Sequence, residues 1–393
     1  MTTADLGYRA FDTDNHYYEA LDAFTRHLDP ALGPRTLQWA EIDGRKYHVV
    51  GGRVSHAVVN PTFDPVADPG VLVEYYRGNP EGKPAAEYLK ARGPISPAYR
   101  DAGARLAAMD GQGLEGCWMF PTLAVLYEEL LGNDIEAIGR LFRAFNRWLD
   151  EDWGFHNAER IFAAPYISPS DPDWAVAELA WVLDRGAHII CIRPAAPMTP
   201  FGRRPPADPY FDRFWSAVND AGITVVVHAG DSGHSFNGYA PSEYSAVHGK
   251  ANLFRMLVRE RPIYDFLGSV IIDRLFERFP NVRLASVENG ATFLPGLFTE
   301  LHALAMRNRG LFRDDPIETF KAHVAINPFW EDDLGMLVEH VGSDGVIFGS
   351  DWPHVEGMRQ PLDYLVETKA LDAANRRKVM RDNALALNTL RPL

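Results

Sequence analysis

The 393-residue sequence predicts an α/β fold, a parallel (β/α)8 TIM barrel with an insertion after its first strand. Three observations predict it. From about residue 115 onward, short apolar or β-branched runs alternate with longer segments of helical period. Those runs are apolar almost throughout, as strands covered on both faces must be, and with the opening segment they number eight. Ionisable residues also gather where five of the runs end, and barrel folds keep their chemistry at the carboxyl ends of their strands.

The first strand is expected around Arg9 to Thr13, leading into "DTDNH". Residues 20–95 then break the alternation. They contain "LQWAEIDGRKYHVVGGRVS", whose segments flanking Asp43-Gly44 read as a β-hairpin, and then a Pro- and Gly-rich tract. This stretch reads as an insertion over the barrel mouth or at a subunit contact. "SPAYRDAGARLAAMDGQG" resumes the helices, and "GCWMFP" is the second strand. Residues 133–154 carry apolar positions at three- and four-residue spacing, a helix before the strand "RIFAAPYIS". "DPDWAVAELAWVLDRGA" opens on Asp-Pro and closes at Gly186, matching helix start and stop preferences. The strand "AHIICIRP" follows, and "DPYFDRFWSAVNDAG" repeats the same helical grammar before "GITVVVHAG". "NVRLASVEN", "HVAINPF" and "DGVIFGSD" complete the eight. A doubly wound open sheet is the competing fold, but no GxGxxG follows the first strand. Residues 1–393 therefore read as one domain.

The formal charge of −14, without any basic run, argues against nucleic acid or an anionic membrane as partner. The two cysteines, Cys117 and Cys191, lack CxxC spacing and read as buried thiols of a reducing compartment. No signal sequence opens the chain, and no run approaches the roughly 18 apolar residues of a membrane span. The expectation is a cytoplasmic protein with a small-molecule substrate, and a homodimer.

Five strands end in chemistry-bearing groups: the first in Asp12, Asp14 and His16, the fourth in Arg193, the fifth in His228, the sixth in Glu288, and the eighth in Asp351 and His354. A period of two puts Asp14 and His16 on one face. Imidazole and carboxylate together suit Zn²⁺ and similar ions, so Asp14, His16, His228 and Asp351 form a candidate metal-ligand set. Asp351 is also the candidate base for a metal-activated water. Asp12 is either a support for a ligand histidine or polar filling. Glu288 is either a functional acid or an acid at the start of the following helix. Arg193 either clamps a substrate carboxylate or forms an internal ion pair with one of the site acids. His354, three residues past Asp351, is close enough to touch substrate. His234 sits in a Gly- and Ser-rich loop and either lines the pocket or is solvated. Trp330 and Trp352 follow strand ends and are candidates to wall an apolar pocket.

The segments "DTDNH", "MDGQGLEGCWMFPT", "IICIRPA", "VVVHAG", "SVENGATFLPGLF", "NPFWEDD", "VIFGSDWPH" and "RDNALALNTL", spread in order over the chain, resemble the amidohydrolase superfamily. The similarity is to its amidohydrolase-related branch, which includes aminocarboxymuconate semialdehyde decarboxylase. That resemblance implies one divalent metal, Zn²⁺ first with Mn²⁺ or Fe²⁺ as alternatives, at the ends of strands one, five and eight. Its HxH-type motif falls on Asp14 and His16, its strand-five histidine on His228, and its strand-eight aspartate on Asp351. Asp14 stands where many members carry His. Glu288 stands where the decarboxylases of the branch carry a histidine assigned acid–base work.

The leading expectation is therefore a metal-dependent hydrolase acting on an amide, ester or related carbonyl of a small cyclic or aromatic-derived substrate. In it Asp351 takes the proton of metal-activated water, Glu288 and His354 assist, and Arg193 holds an anionic group. Non-oxidative decarboxylation on the same site is the alternative. A barrel that only binds is the third reading.

Overall fold

The computed structural model describes residues 6–233, 254 and 256–393. Twelve strands are formed among them. β1 (Ala10–Tyr17), β5 (Leu114–Pro121) and β6 (Ile161–Ala163) make one parallel sheet. Between β1 and β5 lies the antiparallel sheet of β2 (Leu37–Ile42), β3 (Arg45–Val50) and β4 (Arg53–Val54). A second parallel sheet takes β7 (Ile189–Ile192), β10 (Thr224–His228), β11 (Arg283–Val287) and β12 (Val324–Ile326), while β8 (Met198–Thr199) and β9 (Gly202–Arg203) pair in a small ribbon.

Two seams close the parallel sheets into a barrel. Tyr166, just past β6, bridges in parallel to Cys191 of β7. On the other side the eighth stave, residues 346–352, runs between β12 and β1. Ile347 N donates to Ile326 O at 3.0 Å, Thr13 N donates to Phe348 O at 2.8 Å, and His16 N donates to Trp352 O at 2.8 Å. The segment "VIFG" forms no regular ladder: Phe348 N donates to Val379 O at 3.0 Å, outside the two neighbouring strands. The eight staves are those expected from sequence, and the chain is a (β/α)8 barrel.

Local chemistry explains the outer layer. The helices Ala102–Gln112, Ile135–Asp152, Pro172–Leu183, Pro316–His323 and Leu334–Val341 start after Asp101, Asp134, Asp171, Asp315 and Asp333. Each of these aspartates accepts from a backbone N–H of the first turn, the usual satisfaction of an otherwise orphan donor. The strands bury on both faces: Val225, Val226 and Val227 are all fully buried, each contributing about 1.5–3 kcal/mol of apolar burial.

The hairpin predicted at Asp43-Gly44 forms, with Ile42 paired to Arg45. It docks against the helix Ala124–Leu131. His48 Nδ1 lies 2.7 Å from the Tyr127 hydroxyl, and its ring packs on Trp39. Gly51 sits at φ 56°, where a Cβ would stand 2.6 Å from Leu130 O, so the approach requires glycine. Beyond the hairpin, residues between 57 and 92, among them Phe63, Leu72 and Leu89, line a cavity at the strand ends. Among the described residues, no helix is long and apolar enough to cross a membrane.

Candidate metal and active site

β1 places two acids and a histidine, Asp12, Asp14 and His16, in one buried row, and they have different fates. Asp12 is fully bonded. Its carboxylate accepts from Asp14 N at 3.1 Å, Asn15 Nδ2 at 2.9 Å, Ser350 N at 2.9 Å and Ser350 Oγ at 2.6 Å. It therefore ties β1 to the eighth stave; burial still lifts its carboxyl to about 6 against those donors. Beneath it, buried Arg105 donates to Asn15 Oδ1, to His16 O at 2.5 Å and to Ala98 O at 2.7 Å, with its guanidinium over the Trp352 ring. Trp352 thus serves as a platform under the site rather than as a wall of the pocket expected from sequence.

Asp14 and His16 have no such partners. Asp14 Oδ1, His16 Nε2 and His228 Nε2 are buried and without a hydrogen bond. Yet they point at one another: His16 Nε2 lies 3.3 Å and His228 Nε2 3.5 Å from Asp14 Oδ1. Glu288 Oε2 joins them, 3.6 Å from His16 Nε2 and 3.3 Å from His228 Nε2. Donor atoms of Asp14, His16, His228 and Glu288 all lie within 4.8 Å of one another. A second, overlapping group is His16, Glu288, Asp351 and His354. Asp351 Oδ1 is 3.3 Å from His16 Nε2 and 2.6 Å from His354 Nδ1. The sequence expectation had Asp351 as the fourth ligand. The structure places Glu288 in both groups and Asp351 in the second, bonded to His354.

The local backbone supports this convergence. Glu288 (φ 57°) and Asp351 (φ 56°) both adopt the left-handed conformation, uncommon for residues with a side chain and often kept at functional sites. At Gly349 a Cβ would fall 2.3 Å from Asp14 Cβ, so the eighth stave passes the ligand strand only because it has no side chain there.

Electrostatics favours positive charge at this point. Burial opposes the charged form of His16, but Asp14 and Glu288 outweigh it and raise the imidazole to about 9. Burial also raises Asp14, and His16 with His228 reverses this to hold it low. Burial, then Glu288, Glu356 and Asp14, push Asp351 well above the carboxylate range; burial, then Glu288, takes Glu356 to about 7. Burial with the nearby His16 and His228 pushes His354 far down. Buried acids around two imidazoles, with orphaned oxygen and nitrogen atoms converging, fit a divalent cation in donor type, number and charge.

Two adjoining cavities open from this cluster. The first, about 410 Å³, has His16, His228, Glu288 and His354 at its floor and Phe63, Val66, Leu72 and Leu89 among its walls. The second, about 340 Å³, is lined by Asp14, Glu288 and Asp351 and by Arg259, Phe329 and Trp330. Trp330 therefore walls a pocket. Arg193 lines neither; it is buried in an ion cluster, donating to Glu129 Oε2 at 2.7 Å, to Asp231 O and to Glu128. Its ion pairs are with Glu128 and Glu129, not with the acids of the metal cluster expected from sequence as possible partners. His234 lies outside the described residues. Sequence reasoning passed over Thr122, Tyr76 and Glu356, which line the first cavity. "PHVEG", directly after "GSDW", held the only available signal for Glu356.

A family model described as amidohydrolase matches residues 95–387. The chain is similar to an amidohydrolase of Mycobacterium avium subsp. paratuberculosis K-10, at 40% identity and TM-score 0.92 over 98% of each chain. It is similar in fold to a 2,6-dihydroxybenzoate decarboxylase from Rhizobium, at 19% identity and TM-score 0.59 over 72% of this chain and 87% of that one. It also shares its fold with a 5-carboxyvanillate decarboxylase from Novosphingobium aromaticivorans, solved with manganese and 4-hydroxy-3-methoxy-5-nitrobenzoic acid. There the identity is 15% and the TM-score 0.57 over 98% and 97%. With its barrel closed, its acids and imidazoles converging at the strand ends, and three quarters of its length matched, this chain belongs to the amidohydrolase family.

Proposed function

We propose that the protein is a metal-dependent carboxy-lyase that releases CO₂ from a small cyclic or aromatic acid. The observation that carries this reading is the setting of the site: a floor of acids and imidazoles beneath a largely apolar chamber. Loss of CO₂ disperses the charge of a carboxylate, so an environment that solvates that carboxylate poorly favours the transition state. The fold likeness to two decarboxylases of hydroxylated aromatic acids supports the same class. This reverses the sequence-based order, in which hydrolysis led.

Asp14, His16, His228 and Glu288 would hold the cation, Mn²⁺ or Zn²⁺, which supplies charge neutralisation for the substrate's carboxylate and a neighbouring oxygen. The apolar walls exclude water and hold the ring. The bond from ring carbon to carboxylate breaks, its electron pair stays on the carbon, and CO₂ leaves. The Asp351–His354 pair then gives that carbon a proton and is reprotonated from solvent.

Hydrolysis is the second reading, favoured by one observation: strand six ends in a carboxylate, Glu288, within the ligand group. Metal-loaded protein is to be incubated with hydroxylated aromatic and heterocyclic acids and, separately, with their esters, amides and lactones. CO₂ release from an acid, abolished by His228→Ala, is the expected result. Turnover of the esters or amides with no CO₂ from any acid would replace the lyase with a hydrolase.

A further inference from the structure

We propose that Thr122 is a positioning residue that fixes the tautomer of His354, with the hydrogen on Nε2 and Nδ1 turned to Asp351. Thr122 directly follows β5 and lines the first cavity. Its Oγ1 lies 2.9 Å from Tyr17 O and 2.9 Å from His354 Nε2. A carbonyl oxygen only accepts, so the hydroxyl's one hydrogen is committed to Tyr17. Thr122 can then meet the imidazole only as an acceptor, and Nε2 carries its hydrogen. The other nitrogen, Nδ1, faces Asp351 Oδ1 at 2.6 Å. Two bare acceptors would repel at that distance, so one proton lies between them, either on Nδ1 or on the carboxyl.

The ring cannot escape this arrangement by turning. His354 packs on the His16 ring at 3.9 Å between centroids and 30° between planes, and Tyr18 lies 5.9 Å away on a similar tilt. Tyr18 is itself anchored through its hydroxyl to Pro353 O at 3.2 Å. Packing therefore decides which imidazole nitrogen faces the site acid, and one hydroxyl decides that the other carries a hydrogen. The role of that proton in turnover rests on the carboxy-lyase reading; the tautomer does not.

The test separates the two. Protein labelled with ¹⁵N-histidine is loaded with Zn²⁺, and His354 is identified by loss of its signals in His354→Gln. Long-range ¹H–¹⁵N correlation is expected to show a hydrogen on His354 Nε2. Thr122→Val, of nearly the same shape but with no acceptor, is expected to lose that signature. Its kcat for CO₂ release should fall about 10- to 100-fold, typical of removing an outer partner, with KM within about twofold. Thr122→Ser should restore both. A bare Nε2 in the unsubstituted protein, or an unchanged tautomer in Thr122→Val, overturns the proposal. If no substrate releases CO₂, the lyase reading falls and the spectrum still decides the tautomer.

Discussion

Two clusters of buried charge sit at the strand ends of this barrel, and they are finished differently. Around Arg193, the acids have protein cations and hydroxyls: Glu129 is shared by Arg193 and Arg203, and Glu128 accepts from Ser168 Oγ at 2.9 Å and Tyr166 OH at 2.5 Å. Around His16, the acids face only imidazoles, those of His16, His228 and His354, and four buried polar atoms have no hydrogen bond: Asp14 Oδ1, both ring nitrogens of His16, and His228 Nε2. Burying an unpaired charge is costly, so a chain keeps such a cluster only when something else satisfies it. The first cluster is closed and structural, whereas the second is shaped for a cation from solution.

The strongest way to break that contrast is to remove a ligand. His228→Ala should lower metal affinity by more than about 100-fold, beyond what loss of an outer partner costs, and abolish turnover, while the circular dichroism spectrum stays the same. Metal analysis of the purified variant checks this, and a full equivalent of bound metal would refute the ligand assignment.

Arg193→Met should act in the opposite sense. It strands Glu128 without its cation and should destabilise the fold by about 3–5 kcal/mol, read from denaturant unfolding, yet leave metal stoichiometry unchanged. Adding Glu128→Gln should recover part of the loss. Normal stability with weakened metal binding would mean that the two clusters are one functional unit.

Adding the divalent cation itself sharpens the difference. At 100 times its Kd it should stabilise the protein by about 2.7 kcal/mol, visible as a rise in Tm that a chelator reverses. The same increment in His228→Ala would show that the ion binds elsewhere.

A third solution for a buried ionisable group is to remain neutral, and His48 uses it. Burial takes its imidazole down to about 3, well below the unfolded value. Its stabilising contribution is therefore complete above about pH 6.5 and is lost progressively as pH falls toward 3. At pH 5 the loss is about 2 kcal/mol, and His48→Gln should flatten the stability curve between pH 6.5 and 5. An unaltered curve would show that His48 does not hold the hairpin by staying uncharged.

Much of the site is legible in the chain because strand geometry is local. Alternation along β1 puts Asp14 and His16 together, and the rule that barrel chemistry lies at strand carboxyl ends points to His228, Glu288 and Asp351. Partner choice is less legible. Arg193 ends a strand as His228 does, yet Glu128 and Glu129, from a helix more than sixty residues earlier, claim it. Trp352 looks like a pocket wall until Arg105, from the helix before β5, is found across its ring. Thr122 closes the segment "MDGQGLEGCWMFPT" at a strand end, but nothing local tells that its hydroxyl meets His354, more than two hundred residues later.

By itself the sequence determined the eight-stave barrel, the hairpin after its first strand and the set of acids and imidazoles at one end, since each follows from periodicity, capping and turn chemistry within a few residues. Only the tertiary structure decided which of those groups are satisfied by protein and which are left facing one another. That depends on contacts between residues tens to hundreds of positions apart, and hydrogen bonds and ion pairs form or fail over fractions of an ångström that no local pattern encodes.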